Sequence, residues 1–165
     1  MEPSGYLSLL SDLEGEFSFF QKNRDRVIKA KERVDLDRGD VLLSSGFAFL
    51  LHNLYTGYEA YFLRISKFFE NGLPADEWHK FLVDRMSWKV EELRPAFLLE
   101  EDRIAFHELR AFRHLFRHLY DRDLDPERVF QVFPYAAYTI RVFPERHAAF
   151  CGAIRTMARR SSEVK

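Results

Sequence analysis

Residues 103–120 sort onto two different faces when they are wound as an α-helix at about 100° per residue. Apolar side chains share one broad arc: Ile104, Ala105, Leu109, Ala111, Phe112, Leu115, Phe116, Leu119 and Tyr120. Arginines and histidines share the opposite arc, interrupted by Phe106: Arg103, Arg110, Arg113, Arg117, His107, His114 and His118. This periodicity predicts an amphipathic helix that packs its apolar face against other helices.

The composition favours long helices over a strand-rich fold. Hydrophobic residues make up 47% of the 165 residues and Phe occurs 17 times, whereas Gly and Pro occur 7 and 6 times. A chain of this length, rich in apolar residues and poor in helix breakers, can bury one substantial core. We predict a single all-α domain over residues 1–158, an antiparallel bundle of four or five helices, followed by a polar tail over residues 159–165.

Apolar spacing and breakers divide this domain into segments. We predict helices over residues 4–33, 40–70, 76–93, 100–120 and 126–158, the last interrupted or kinked at Pro134 and Pro144. The second half of the first helix, residues 22–33, is charged and is predicted to extend beyond the core. The helix over residues 40–70 is apolar on most sides, which predicts a central position in the bundle or burial by a partner.

Glu59 lies among the apolar residues of that second helix. A buried carboxylate needs a partner, and the arginine-rich helix supplies several. We interpret Glu59 as a structural residue that orients an arginine, ahead of a direct catalytic role.

The cationic face of residues 103–120 indicates phosphate chemistry. It carries no lysine and no acid, and like charges repel one another unless something anionic lies against them. A guanidinium fits phosphate through its planar fork, and an imidazole transfers protons near neutral pH. The formal net charge is −1, so any binding of a polyanion depends on this local patch.

Several classes of site and location are disfavoured by the sequence. We find no signal peptide and no apolar run of about 18 residues, so we expect a cytoplasmic protein without a membrane span. The single Cys151 excludes an intramolecular disulfide and is interpreted as a small buried residue. His114 and His118 could bind a metal at i,i+4 spacing, but the neighbouring arginines repel a cation, so we predict no metal and no cofactor.

Residues 113–120, Arg-His-Leu-Phe-Arg-His-Leu-Tyr, match the Arg-x4-His-x-Tyr pattern of HepT-type toxins. These toxins belong to the HEPN (higher eukaryotes and prokaryotes nucleotide-binding) superfamily, in which Asn, Asp or His often follows the arginine, as His114 does here. The helix that contains residues 54–59 resembles the corresponding family helix. The resemblance covers residues 40–130, approximately.

The resemblance implies a function. HEPN toxins are typically metal-independent endoribonucleases that act as homodimers, with the arginine and histidine of both protomers at the interface. HepT-type members pair with a minimal nucleotidyltransferase antitoxin that can silence the toxin by transferring AMP to the tyrosine of the motif. Carried onto this chain, the resemblance makes Arg113 and His118 the catalytic residues and Tyr120 the modified residue.

RNA cleavage needs residues of these types. A proton leaves the 2′-hydroxyl, charge develops on the phosphoryl oxygens, and a proton reaches the leaving 5′-oxygen. Imidazole suits both transfers, so His118 is the expected acid and base, and Arg113 is expected to stabilise the phosphoryl charge. Arg110, His114 and Arg117 would position the RNA backbone.

Two points are left open by the sequence. On a straight helix Arg113 and His118 diverge by roughly 140°, so either the helix distorts near its end or two chains pack this face across a two-fold axis. Tyr120 can also be read as a packed ring with its hydroxyl at the surface. The alternative function is a non-catalytic binding module that docks a nucleotidyltransferase or a nucleotide.

Overall fold

Five α-helices make up most of the computed structural model, which describes residues 3–70, 78–91, 93–118 and 124–163. They are α1 (Pro3–Leu36), α2 (Val41–Phe69), α3 (Trp78–Ser87), α4 (Arg103–Arg117) and α5 (Pro126–Glu163), with a 3₁₀ turn (Glu100–Asp102) before α4. Within these ranges the structure contains no β-strand, and no described helix is long and apolar enough to cross a membrane. The predicted all-α helical bundle is confirmed.

The central helix is α2, which packs against α1, α3, α4 and α5. It begins after Asp40, whose carboxylate accepts hydrogen bonds from the backbone N–H groups of Leu42 and Leu43 at 2.8 and 3.1 Å. This N-cap satisfies donors that the first helical turn leaves open. The central position agrees with the prediction made from the apolar composition of the helix.

Aromatic packing explains why the chain contains so many phenylalanines. The ring of Phe143 on α5 lies within 4.7 to 6.4 Å, centroid to centroid, of six other aromatic rings from α1, α2 and the segment before α4. These rings are Phe17, Phe20, Tyr58, Tyr61, Phe62 and Phe97. A cluster of this size joins four parts of the chain in one core.

The prediction that residues 22–33 extend beyond the core is wrong. Val27 is fully buried, and so is Val34 further along α1. The ammonium of Lys31 lies 4.7 Å from the centroid of Phe133 on α5. A few apolar residues at helical spacing are therefore enough to pack this half of α1 into the bundle. Long cationic side chains add to this packing, because their stems and charges cover aromatic rings on α5.

The helix over residues 76–93 is shorter than predicted, because α3 ends at Ser87. Arg94 is buried, and its guanidinium donates hydrogen bonds to the carbonyl oxygens of Arg85 and Trp88 at 2.8 and 3.0 Å and to the carboxylate of Glu70. The Arg85 carbonyl also accepts from the Trp88 N–H at 3.2 Å, so the Arg94 guanidinium adds to the backbone bond that closes the last turn of α3. A buried arginine therefore sets the end of α3.

By contrast, α5 is longer than predicted and continues through both prolines. Pro134 and Pro144 lie inside one helix that ends at Glu163, so residues 159–163 are helical. Each proline removes one backbone hydrogen bond. Packing of α5 against α1, α2 and α4 offsets that loss, because tertiary contacts supply most of the stability of a protein helix.

A buried carboxylate, Asp102, joins the start of α4 to α5. It accepts hydrogen bonds from Arg146 Nε at 2.7 Å, from the Tyr138 hydroxyl at 2.9 Å and from the Leu99 N–H at 2.8 Å. Burial alone would raise the pKa of Asp102, but these donors outweigh it and the pKa lies below its ordinary value. The ionised form is thus favoured in the folded protein.

Asp102→Asn is expected to lower the free energy of unfolding at pH 7 by about 3 kcal/mol, because the partly buried Arg146 loses the buried carboxylate with which it pairs. The native carboxylate stabilises the fold above its unfolded pKa of about 3.9, and this contribution is lost as the pH falls through the lower folded value. Urea titrations at pH 7 and pH 3 should therefore show a smaller pH effect for Asp102→Asn than for wild type. Asp25→Asn, at an exposed position, is the control, and equal pH effects in all three proteins would refute the assignment.

Candidate functional site

The cationic face of α4 is divided by an acid from α3. Oδ1 of Asp84 lies 2.5 Å from Nη2 of Arg103 and 2.8 Å from Nε2 of His107. Burial raises the pKa of Asp84, but the hydrogen bonds from His107 and Arg103 outweigh it and the pKa is lowered. The interpretation of an unbalanced cationic face along the whole helix is therefore wrong, because Asp84 neutralises its N-terminal part.

A second acid, Glu59 of α2, meets Arg113. Its Oε2 lies 2.9 Å from Arg113 Nη2, and the two side chains are 8% and 16% exposed. An ion pair this far from solvent is weakly screened, so it restrains the guanidinium strongly. The structure thus pairs Glu59 with the arginine that begins the Arg-x4-His-x-Tyr pattern.

Two further α2 residues, which sequence reasoning did not assign to the site, join this seam between α2 and α4. The ring centroid of His52 lies 5.2 Å from that of Phe116. Burial, and then the positive charges of Arg113 and Arg117, lower the pKa of His52. The Tyr55 hydroxyl is buried, and this burial, followed by the charge of Glu59, raises its pKa.

The spacing of His52 and Tyr55 relative to Glu59 could have indicated that they belong to the site. His52, Tyr55 and Glu59 are spaced i, i+3 and i+7 on α2, which places them on one face of the helix. Arg110, which is half-buried, belongs to the same seam because its charge acts on Tyr55. No hydrogen-bond partner for His52 Nδ1, the Tyr55 hydroxyl or Arg110 Nε is present among the described residues.

The remaining candidate residues lie at the exposed C-terminal end of α4, which we call the motif end: His114, Arg117 and His118. Here α4 ends at Arg117, and His118 has φ −109° and ψ 14°. Nδ1 of His118 lies 2.7 Å from the carbonyl oxygen of His114. Because a carbonyl oxygen only accepts, Nδ1 carries the proton, and Nε2 holds the lone pair when the ring is neutral.

The structure therefore separates the predicted residues into three places. Arg113, Arg110 and Glu59 share the α2–α4 seam, the motif end follows directly after Arg113, and Arg103 and His107 are held by Asp84. His118 is the C-cap residue of α4 and no longer has helical backbone angles. Tyr120 lies outside the described residues.

A family model described as HepT-like protein matches residues 46–154. The chain belongs to the HepT-like family. The match runs from α2 into α5 and so includes both the seam and the motif end. No curated protein and no solved structure matches the chain.

Family membership confirms the predicted relation to HepT-type proteins of the HEPN superfamily, a family that suggests a toxin- or RNase-like protein. In this HepT-like chain Arg113 lies, partly buried, in an ion pair with the buried Glu59, and His118 lies at the surface. Arg113 can supply a positive charge at a fixed position, and His118 can exchange a proton with solvent or a ligand.

Proposed function

We propose that this HepT-like protein is the toxin of a type II HEPN/nucleotidyltransferase toxin–antitoxin pair and acts as a metal-independent endoribonuclease. The observation that supports this most is the motif end of α4. A partly buried arginine, paired with Glu59, is followed five residues later by an exposed His118 whose Nδ1 is hydrogen-bonded. The proposed target is RNA, and the proposed setting is the cytoplasm.

In this proposal Nε2 of His118 takes the proton from the 2′-hydroxyl, and the 2′-oxygen attacks phosphorus. The bond to the 5′-oxygen breaks, that oxygen receives a proton, and the products are a 2′,3′-cyclic phosphate and a 5′-hydroxyl. Arg113 stabilises the charge that develops on the phosphoryl oxygens. Arg117 and His114, both exposed, hold the adjoining backbone, and Arg110 adds positive charge from within the seam.

One imidazole cannot accept one proton and donate another at the same instant, so the proposal includes a homodimer whose second His118 serves as the acid. Apolar side chains exposed on α2 support self-association, because a monomer seldom leaves such residues grouped at its surface. Val41, Leu42 and Phe49 are 62%, 83% and 53% exposed. Transfer of AMP to Tyr120 by the partner nucleotidyltransferase completes the proposal.

Purified protein is expected to cleave single-stranded RNA in the presence of EDTA and to leave DNA of the same sequence uncut. The nucleophile in this mechanism is the 2′-hydroxyl, which DNA lacks. An RNA with one 2′-deoxynucleotide at the mapped cleavage site should resist at that position alone. Dependence on added Mg²⁺, or cleavage of the deoxy substrate, would refute the mechanism. Intact mass detects any inactive fraction that carries AMP, and fragmentation of the peptide that contains Tyr120 locates the adduct.

The second candidate function, a binding module for a nucleotidyltransferase or a nucleotide, is favoured by one observation. Arg113 is 16% exposed and engaged with Glu59, so its guanidinium offers little free surface to a substrate. Under this alternative, pure protein has no cleavage activity in either EDTA or Mg²⁺. Arg117→Ala then weakens partner binding measured by calorimetry.

A further inference from the structure

A groove of about 470 Å³ lies between the second half of α1 and the first half of α2, and no residue of the seam or of the motif end lines it. Its α2 wall carries an apolar stripe made of Leu42, Leu43, Phe49 and Leu50. These side chains recur at the spacing of one helix face. Leu42 and Phe49 are 83% and 53% exposed. Apolar side chains grouped at a surface in this way mark a contact with another molecule.

Gly46 lies in the middle of the apolar stripe, inside α2 and exposed. A Cβ added at this position would meet no atom of the described chain within 4 Å. Packing within the protein therefore does not require glycine here, although glycine destabilises a helix interior relative to alanine or leucine. Glycine does allow another backbone to come close. A stripe with Gly46 at its centre fits a second helix that crosses α2.

The α1 wall of the groove is cationic. Arg26, Lys29 and Arg33 line it, are exposed and share one face of α1. Among the described residues none of these three cations has an ion pair, whereas Lys31 beside them pairs with Asp35. A row of unpaired cations along one edge of an apolar surface is complementary to a partner that is both apolar and acidic.

A second copy that packs its own apolar stripe here fits the α2 wall but not the α1 wall. Residues 41–58 contain no aspartate and no glutamate, so α2 of a second copy brings no acid to the α1 cations. Leu42 and Phe49 also belong to the apolar surface that supports self-association. An acidic helix in the groove therefore competes with a second copy for these two residues. Only this competition depends on the homodimer of the proposed function, and the docking itself does not.

We propose that the groove docks an acidic amphipathic helix of another protein. Apolar side chains of that helix lie on the stripe, its backbone crosses α2 at Gly46, and its acidic side chains face the α1 cations. The stripe from Leu42 to Leu50 and the cationic edge from Arg26 to Arg33 extend about 12 and 10 Å along their helices, so about two turns of the partner are bound. Apolar contacts supply affinity, and charge selects the partner.

The test uses the purified full-length protein and a fluorescently labelled synthetic peptide of about four helical turns. The peptide is stapled so that it is helical before it binds, and it carries a leucine stripe flanked by glutamates. Fluorescence anisotropy should show one peptide bound per chain, with an affinity that falls as salt is added. A matched peptide with lysines in place of the glutamates should bind about tenfold more weakly.

Gly46→Leu distinguishes a shaped groove from a nonspecific apolar surface. The substitution adds apolar area and should raise the melting temperature, because leucine is a better helix former than glycine. It should nevertheless weaken peptide binding about tenfold, because the new side chain occupies the crossing point. Lys29→Glu/Arg33→Glu should also weaken binding about tenfold. Lys22→Glu/Lys67→Glu, which changes two exposed lysines outside the groove, is the matched control.

Failure of the acidic peptide to bind wild type would overturn the proposal, as would equal affinity for the acidic and the basic peptide. Tighter binding by Gly46→Leu would indicate a nonspecific apolar surface and would also overturn it. A wild-type dimer that Gly46→Leu dissociates, together with no peptide binding, would assign the groove to a second copy instead. A chain that stays dimeric when saturated with peptide would refute the competition. Absence of RNA cleavage would test the proposed function alone, because peptide binding is measured without RNA.

Discussion

His118→Ala is expected to lower the rate of RNA cleavage by about 10²–10⁴-fold, the usual contribution of a positioned acid or base. The fold should be unchanged, because His118 is exposed and follows the last residue of α4. The rate is measured on a fluorescently labelled RNA under single-turnover conditions in EDTA. Equal circular dichroism spectra and melting temperatures show that the loss is chemical.

His114→Ala is the matched control for this experiment. The ring of His118 is held by the backbone carbonyl of His114, and that carbonyl survives the substitution. His114→Ala should therefore lose only a backbone contact to RNA and reduce the rate far less than His118→Ala. If the two variants lose activity equally, His118 is not the proton carrier.

Arg113→Ala is expected to abolish cleavage and also to lower the free energy of unfolding by about 3 kcal/mol, because it leaves the buried carboxylate of Glu59 without this guanidinium. Loss of activity in this variant is therefore ambiguous by itself. Urea titration measures the stability, and the cleavage assay is run well below the transition.

The double variant Arg113→Met/Glu59→Leu separates the two effects. Apolar side chains of similar volume can replace a buried ion pair at little cost, so stability should return toward the wild-type value. Cleavage should remain absent, since the guanidinium that stabilises the developing phosphoryl charge is gone. Recovery of activity together with stability would show that Arg113 acts only in folding.

Much of the fold follows from the apolar pattern alone. The face periodicity of α4 and the nearly continuous apolar surface of α2 predicted two helices in contact, and Glu59 on α2 indicated where an arginine would be held. Arg113 is its partner in the structure. These inferences succeed because helical periodicity is a local property that the sequence displays directly.

Two of the failures come from polar contacts that a helical projection does not show. Asp84 lies 19 residues from Arg103 and on a different helix, so no helical projection of α4 could show that it neutralises Arg103 and His107. Arg94 sets the end of α3 through tertiary hydrogen bonds rather than through local breakers. In each case a polar contact outside the helix itself overrides the local pattern.

Asp84 on α3 limits how much of a nucleic acid the cationic face of α4 could contact. With Arg103 and His107 engaged by Asp84, the exposed cationic part of the described α4 is the segment from His114 to His118. At 1.5 Å per residue, it spans about 6 Å. Under the proposed function, this length lets His114 and Arg117 contact the backbone only beside the cleaved phosphodiester, so any preference for particular nucleotides has to be read by other surfaces.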